Sequence, residues 1–257
     1  LCDRRQRQMC IRDRYRRVVD MKERILLIIP AYNEEENILK TCREIDEFNK
    51  KGKRKYDYVV INDGSRDKTG FILDKNNINH VDLIHNLGIG GAVQTGYKYA
   101  YYNNYDIAIQ YDGDGQHDVS YVNNIIEPII KGKADFVIGS RFVGNISKFK
   151  TTGARRAGIK VISFFIKLVS GIKVYDTTSG FRACNKEIIN YFANNYPLEY
   201  PEPITTVELA KKNYRIEEVA VNMRERTGGK SSIHTWKNIY YMLNVCLSII
   251  IAGIRRY

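Results

Sequence analysis

The chain has 257 residues, of which 44% are hydrophobic and 27% charged, values ordinary for a soluble globular protein with one substantial core. A formal net charge of +12 favours anionic partners, namely nucleic acid, an anionic membrane surface or phosphorylated substrates, although a basic surface without a dedicated partner fits it too. The cysteines form no CxxC pair, which argues against a metal or disulfide framework and for reduced thiols in a cytosolic setting.

The first twenty residues differ from the rest of the chain. They are rich in arginine, contain no lysine or glycine, and lack the apolar core of a signal peptide. We expect 1–20 to be an extension foreign to the fold, with Met21 as the natural start; a basic arm that binds membrane or nucleic acid is the alternative. The predicted organisation is this extension, one folded domain at 21–232 and a C-terminal helix at 233–257.

Strands and helices alternate from residue 24 onward. Apolar runs typical of buried strands occupy 24–30, 55–61, 81–85, 106–111, 134–139 and 214–223. Helices are predicted to be capped by Asn33, to start at Asp67, and to cover 92–102, 121–131 and 159–170. This α/β alternation predicts a mainly parallel sheet flanked by helices on both faces.

Polar residues follow four of these strands directly, at 30–33, 62–65, 85–86 and 112–114. Parallel strands bring their carboxyl ends to one edge of the sheet, and ligands of such sheets bind outside that edge. We therefore expect the ligand site there.

Asp112 and Asp114 stand one residue apart directly after a buried strand. Two such carboxylates repel each other unless a cation lies between them, and hard oxygen ligands suit Mg²⁺ or Mn²⁺. A cation in this place is most useful when it also holds a diphosphate, so a transferase with a nucleotide-activated substrate is indicated. A calcium loop of the EF-hand type is excluded because His117 stands where that loop needs glycine.

The glycine-rich turn at 86–92 fits neither the dinucleotide fingerprint nor a P-loop, because Val93 replaces the last glycine of the first and no Gly-Lys-Ser/Thr closes the second. Gly90 and Gly91 instead suggest room for the backbone to approach a ligand at a helix N-terminus; a plain turn is the alternative.

The apolar segment 159–170 is a candidate for a core helix or for a helix at a membrane surface, and the tail 239–254 is a second apolar segment. The tail is short of the length that spans a bilayer and is interrupted by Asn244 and Ser248. We expect it to lie at an interface or to mediate oligomerisation.

Taken together, these segments resemble the family 2 glycosyltransferases of GT-A (Rossmann-like) fold, most nearly the branch of dolichol-phosphate mannose synthase and the polyprenyl-phosphate glycosyltransferases. The resemblance runs from about residue 22 to 232. It is carried by Pro30-Ala-Tyr-Asn-Glu-Glu-Glu-Asn37, Val60-Ile-Asn-Asp-Gly-Ser65, His85-Asn86 with Gly90 to Gly96, Asp112-Gly-Asp114-Gly-Gln116, Gly139-Ser-Arg141 and Thr178-Ser-Gly-Phe-Arg182.

The resemblance implies a metal-dependent, inverting sugar transfer. A UDP- or GDP-linked sugar would be bound by Pro30, Ala31, Tyr32, Glu34, Asp63, Gly90 and Asp112, with Asp63 accepting hydrogen bonds from the base. Mg²⁺ or Mn²⁺ would be held by Asp112, Asp114 and Gln116. Phosphates of donor or acceptor would be gripped by Arg141, Arg155, Arg156, Arg226 and Lys230. The catalytic set would be Asp114, Arg141 and Glu202.

The acceptor is left open between two classes. A polyprenyl phosphate, used in cell-envelope glycan synthesis, is already anionic and needs no general base. A glycan hydroxyl needs one, and Glu202 in Tyr200-Pro-Glu-Pro203 is the candidate, although the second acid of the family's Glu-Asp pair is absent. A non-catalytic module that binds membrane or nucleic acid leaves the acidic pair unexplained, so we expect no nucleic-acid partner. The expected location is cytoplasmic, peripheral on the membrane.

Overall fold

A computed structural model of the protein describes residues 23–144, 153–224 and 235–255, without the side chains of Ala154, Arg155 and 235–241. The extension at 1–20 and residues 225–234 therefore lie outside the described residues. Within them, seven strands form one sheet in the order β3-β2-β1-β4-β6-β5-β7. The strands are β1 (Ile25–Ala31), β2 (Asp57–Asn62), β3 (His80–Asp82), β4 (Ile107–Gln110), β5 (Phe136–Ser140), β6 (Arg182–Asn185) and β7 (Ile216–Ala220).

The predicted parallel sheet is confirmed, with one exception. The β1 strand pairs in parallel with β2 and β4, and β5 pairs in parallel with β7. The short β6 strand, which the sequence did not predict, runs antiparallel between β4 and β5. Its first residue, Arg182, therefore lies at the same edge as the last residue of β4, Gln110.

Helices cover both faces of the sheet, as predicted. They are α1 (Ile38–Lys51), α2 (Thr69–Lys75), α3 (Gly88–Tyr102), α4 (Val122–Ile130), α5 (Gly153–Ser170), α6 (Lys186–Asn194), α7 (Pro201–Lys211) and α8 (Thr235–Ile254). One core cluster joins the sheet to α1, α2 and α4, and a second joins it to α3, α6 and α7. Successive residues of β1 contribute to alternate clusters, since strand side chains point to opposite faces.

One local prediction was wrong. Asn33 does not cap a helix: it adopts a left-handed conformation with φ of 54°, and its side chain accepts a hydrogen bond from the backbone N–H of Arg66. The helix starts five residues later, at Ile38. The Asn33 N–H is in turn bonded to Ser65 Oγ at 3.0 Å, so Asn33 joins the loops after β1 and β2.

The α5 and α8 helices form a pair beside the sheet. They run in the same direction, since Gly158 faces Met242 and Gly253 faces Val169. A third core cluster, which includes Ile166, Val207 and Ile249, joins the pair to α7. None of the helices in the described residues combines the length and apolar character needed to cross a bilayer.

Candidate functional site

The predicted ligand edge contains a cavity of about 390 Å³. It is lined by Pro30, Ala31, Tyr32, Glu34, Asp63, Asn86, Gly88, Ile89, Ala92, Asp112, Gly113 and Asp114. The ends of β1, β2 and β4 and the start of α3 supply these residues, because parallel strands finish at one edge. Six of the seven residues predicted to bind the donor line it, together with the second aspartate of the acidic pair.

Asp63 fixes the wall of the cavity between β2 and α3. It is buried, and its Oδ1 accepts a hydrogen bond of 2.7 Å from the Leu87 N–H, just before α3 begins. Its own N–H donates to the carbonyl of Ala31. One carboxylate oxygen is thus used to orient the loop, while the residue as a whole still faces the cavity. Its predicted contact with a base stays a prediction.

Gly90 is the predicted donor-binding residue that does not line the cavity. A Cβ at this position would lie 2.4 Å from the Leu198 carbonyl oxygen and 2.5 Å from that of Pro197. The space that glycine provides is therefore filled by the chain itself, and at Gly91 by the Leu87 side chain. The expected room for a ligand lies at Gly88 and Ile89 instead.

Asp112 stands at the floor of the cavity with a defined environment. Its side chain is 30% exposed, and its Oδ2 lies 3.1 Å from Nε2 of the buried His117. Burial acts to raise the pKa of Asp112, but His117, the Gln110 side chain and the charge of Arg141 outweigh it and hold that pKa below its usual value. Asp112 is therefore held as a carboxylate at neutral pH.

Asp114 and Gln116 lie in the turn that follows. Asp114 Oδ1 accepts a hydrogen bond of 3.0 Å from the Gln116 N–H, and the Gln116 carbonyl accepts one of 2.8 Å from the Arg224 N–H. The backbone of Gln116 thus holds the turn, and its side chain as a metal ligand stays a prediction.

The acidic pair fits a divalent cation that is shared with a ligand. No group of three or more His, Cys, Asp or Glu side chains suited to a metal occurs among the described residues, so a closed protein cage is not formed there. Mg²⁺ is commonly bound through one or two carboxylates plus substrate phosphates. Asp112 and Asp114, which line one cavity, supply such a set.

Arg141 has a partner on its own chain. Its Nε and Nη2 donate to the two oxygens of Asp176, each at 2.7 Å, in a buried bidentate pair, and Nη2 also donates to Thr178 Oγ1. The backbone N–H of Asp176 donates to Glu218 of β7. The pair braces the segment before β6, so this guanidinium has a structural role in addition to the predicted phosphate contact.

Four other cations were predicted to contact phosphate. Arg156 is exposed near the start of α5. The side chain of Arg155 and all of Arg226 and Lys230 lie outside what the structure describes. Their predicted phosphate contacts stay predictions.

Glu202 is positioned by the start of α7. Pro201 begins this helix after Tyr200, which has a left-handed φ of 49°. Arg182 donates to the Glu202 carbonyl at 2.7 Å. Burial, aided by the negative charge of Asp112, raises the pKa of the Glu202 carboxyl above its usual value, although Arg182 partly offsets the shift.

Three buried side chains around these carboxylates were not predicted as site residues. Gln110 ends β4; its side chain helps to lower the pKa of Asp112 and partly offsets the rise in the pKa of Glu202. His117 contacts Asp112, and Arg182 holds the start of α7 through Glu202 and Thr205. A polar residue near the end of a buried strand is a local signal that could have pointed to Gln110, whereas the roles of the other two depend on tertiary contacts.

A larger cavity of about 680 Å³ lies between α6, α7 and α8. Its lining includes Tyr196, Glu208, Lys212, Ser248 and Arg255, and none of the predicted site residues. We assign the functional site to the smaller cavity because the acidic pair and Asp63 lie there.

Comparison with known proteins agrees with the resemblance. The family described as "Glycosyl transferase family 2" matches residues 26–192. A UDP-N-acetylglucosamine–dolichyl-phosphate N-acetylglucosaminyltransferase of Methanococcus voltae is 34% identical over 209 residues, which cover 74% of this chain and 80% of that protein. An undecaprenyl-phosphate mannosyltransferase of Micrococcus luteus is 27% identical over 82% of this chain and 87% of its own length.

Solved structures agree on the fold. Glucosyl-3-phosphoglycerate synthase from Mycobacterium tuberculosis, crystallised with Mn²⁺, UDP-glucose and phosphoglyceric acid, superposes with a TM-score of 0.67 at 16% identity. The match covers 93% of this chain and 83% of that one. At this identity the match supports the architecture, a GT-A fold, and no more.

Proposed function

This chain belongs to glycosyl transferase family 2 and is a glycosyltransferase, and on that basis we propose that it transfers a sugar from a nucleotide donor to a polyprenyl phosphate. The donor would be UDP- or GDP-linked, and the product would serve cell-envelope glycan synthesis. The reaction would take place at the cytoplasmic face of a membrane.

The observation that carries the proposal is the convergence on one cavity of Asp63, from the loop after β2, and of Asp112 and Asp114, from the loop after β4. Asp63 and Tyr32 would bind the nucleoside, and the acidic pair would lie at the diphosphate. A volume of about 390 Å³ falls within the range of small-molecule sites.

Asp112 and Asp114 would hold Mg²⁺ or Mn²⁺, with Gln116 as the predicted third ligand. A cation bound there supplies Lewis-acid stabilisation of the charge that develops on the leaving diphosphate. The lowered pKa of Asp112 supports this assignment, since a metal ligand must be deprotonated.

The transfer we propose is a single inverting displacement. An anionic oxygen of the acceptor phosphate forms a bond to the anomeric carbon. The bond from that carbon to the donor diphosphate breaks, and its electron pair leaves with the nucleoside diphosphate. No proton is transferred, so no general base is required from the protein.

Two features support a lipid-linked acceptor. Relatives named for dolichyl phosphate and undecaprenyl phosphate match most of the chain. The paired helices α5 and α8 also expose apolar side chains at helical spacing: Val161, Phe164, Leu168, Leu243, Leu247, Ile251 and Ile254. Exposed cations, including Lys160 and Lys167, lie on α5 among them. Such a surface suits the headgroup region of a membrane, and we propose that it docks there.

The environment of Glu202 favours a second candidate, transfer to a glycan hydroxyl. The pKa of its carboxyl is raised by burial and by the negative charge of Asp112, which lines the cavity. A raised pKa improves a general base at neutral pH. In this version the hydroxyl proton goes to the Glu202 carboxylate as the oxygen attacks the anomeric carbon.

A donor and acceptor screen tests the proposal. Purified protein would be given UDP- and GDP-linked sugars with Mg²⁺ or Mn²⁺, and either undecaprenyl phosphate in detergent or soluble glycans, with products followed by mass spectrometry. We expect a glycosylated polyprenyl phosphate, and we expect Glu202→Gln to retain most of that activity. If only glycans become glycosylated, and Glu202→Gln abolishes that product while the donor still binds, the second candidate is established instead.

A further inference from the structure

The turn at 178–181, which precedes β6, lies directly against the carboxylate of Asp112. A Cβ built on Gly180 would stand 2.6 Å from Asp112 Oδ2 and 3.0 Å from Oδ1. Gly180 is not among the positive-φ residues of the described chain. Glycine is therefore required here by space beside the carboxylate, and not by backbone conformation.

Hydrogen bonds hold this turn in place next to Asp112. Ser179 Oγ donates to the Gly139 carbonyl at 2.6 Å, and the Gly139 N–H donates to the Phe181 carbonyl at 2.8 Å. Arg182 Nε donates to the Ser179 carbonyl at 2.7 Å. Because these bonds tie the turn to β5, an added methyl group would move the carboxylate before it moved the turn.

A second contact on the Asp112 carboxylate comes from His117. His117 Nε2 lies 3.1 Å from Asp112 Oδ2, and the imidazole stacks on Phe181 with ring centroids 4.7 Å apart. Phe181 follows Gly180 directly, so the same turn contacts Asp112 through Gly180 and His117 through Phe181. Gly180 and His117 thus both limit the position of Asp112 Oδ2.

We propose that Gly180 is a positioning residue, which fixes the Asp112 carboxylate where it can bind a divalent cation together with a nucleoside diphosphate. This inference rests on the proposed function. Residues that orient a metal ligand affect affinity by about 10- to 100-fold in other proteins. A carboxylate displaced by the Gly180→Ala methyl group should lose affinity on that scale.

The test measures Mn²⁺ binding by the electron paramagnetic resonance signal of free Mn²⁺, with UDP or GDP present. We expect Gly180→Ala to bind Mn²⁺ at least about tenfold more weakly than wild type. Gly253→Ala is the matched control, because its Cβ would also meet a neighbour at 2.6 Å, the Val169 side chain, far from the acidic pair. That variant should bind Mn²⁺ like wild type.

A second variant covers the case in which Gly180→Ala does not fold, which thermal melting would show. His117→Ala keeps the space at Gly180 but removes the second contact on Asp112 Oδ2, and should weaken Mn²⁺ binding in the same direction. Wild-type affinity in the folded variants would overturn the positioning role and leave the metal site standing. Failure of wild type to bind Mn²⁺ with either nucleotide would remove the metal site and this inference with it.

Discussion

The two sides of the site are built in different ways. On the side that we assign to the donor, Ala31 ends β1, Asp63 directly follows β2 and Asp112 lies two residues after β4, so local sequence places them. On the opposite side, Gly180 and Glu202 arrive through an antiparallel strand and a helix start, and tertiary contacts place them. The residues of the proposed donor side can be predicted from the sequence, whereas the positions of Gly180 and Glu202 depend on tertiary contacts.

The two sides also differ in electrostatics. Asp112 has a pKa held below its usual value by His117, Gln110 and Arg141 against the effect of burial. Glu202, which also lies near Gln110, has a pKa raised by burial and by the charge of Asp112. Neighbouring carboxyls whose pKa values are pushed apart are suited to different roles. Here the roles we propose are a metal ligand and, for a hydroxyl acceptor, a base.

The largest effect on stability is expected from loss of the buried ion pair between Arg141 and Asp176. Asp176→Ala removes the carboxylate that pairs with buried Arg141, and breaking such a pair typically costs about 3–5 kcal/mol. Urea denaturation should show this as a lower free energy of unfolding.

Glu127→Ala is the control for this prediction, because its ion pair with Lys131 is exposed and surface pairs contribute little. Equal losses in the two variants would show that the Arg141–Asp176 pair does not brace the fold.

A smaller effect, on membrane binding, is expected from changes to the exposed face of the α5–α8 pair. Phe164, 62% exposed, should insert into lipid, and Phe164→Ser should reduce partitioning into anionic vesicles by about tenfold, since burying an aromatic side chain contributes on the order of 1.5–3 kcal/mol. Sedimentation with phosphatidylglycerol vesicles measures this.

Phe71→Ser is the matched control. Phe71 is 64% exposed on α2, outside the helix pair, and its replacement should leave partitioning unchanged. An equal loss in both variants would mean that α5 has no special role at the membrane.

The limits of sequence reasoning follow from the same contrast. The apolar runs of β1, β2, β4 and β5 predicted the strands, and the polar residues after them predicted the cavity wall. The β6 strand has the sequence Arg-Ala-Cys-Asn, without apolar alternation, and it becomes a strand only by pairing between β4 and β5. The role of Gly180 is a contact with Asp112, which no local pattern encodes.

The α6 helix was predictable from local signals and was not predicted. Ile188, Ile189 and Phe192 have helical spacing and are buried, and the Asn185 side chain accepts a hydrogen bond of 3.0 Å from the Ile188 N–H as an N-cap. Glu202 was named as a candidate base only from the family resemblance, and its place at the start of α7 was not predicted.

The central claim, that the acidic pair serves sugar transfer, is tested most directly by comparing two aspartates of one loop. Asp114 lines the cavity, whereas Asp118 accepts a hydrogen bond from the Ser120 N–H outside it, a role that asparagine can keep. With Mn²⁺ and the donor found in the screen, the initial rate of transfer should fall at least about 100-fold in Asp114→Asn, since a bound cation contributes several kcal/mol of transition-state stabilisation. Asp118→Asn should stay near the wild-type rate. A wild-type rate in Asp114→Asn would contradict the account.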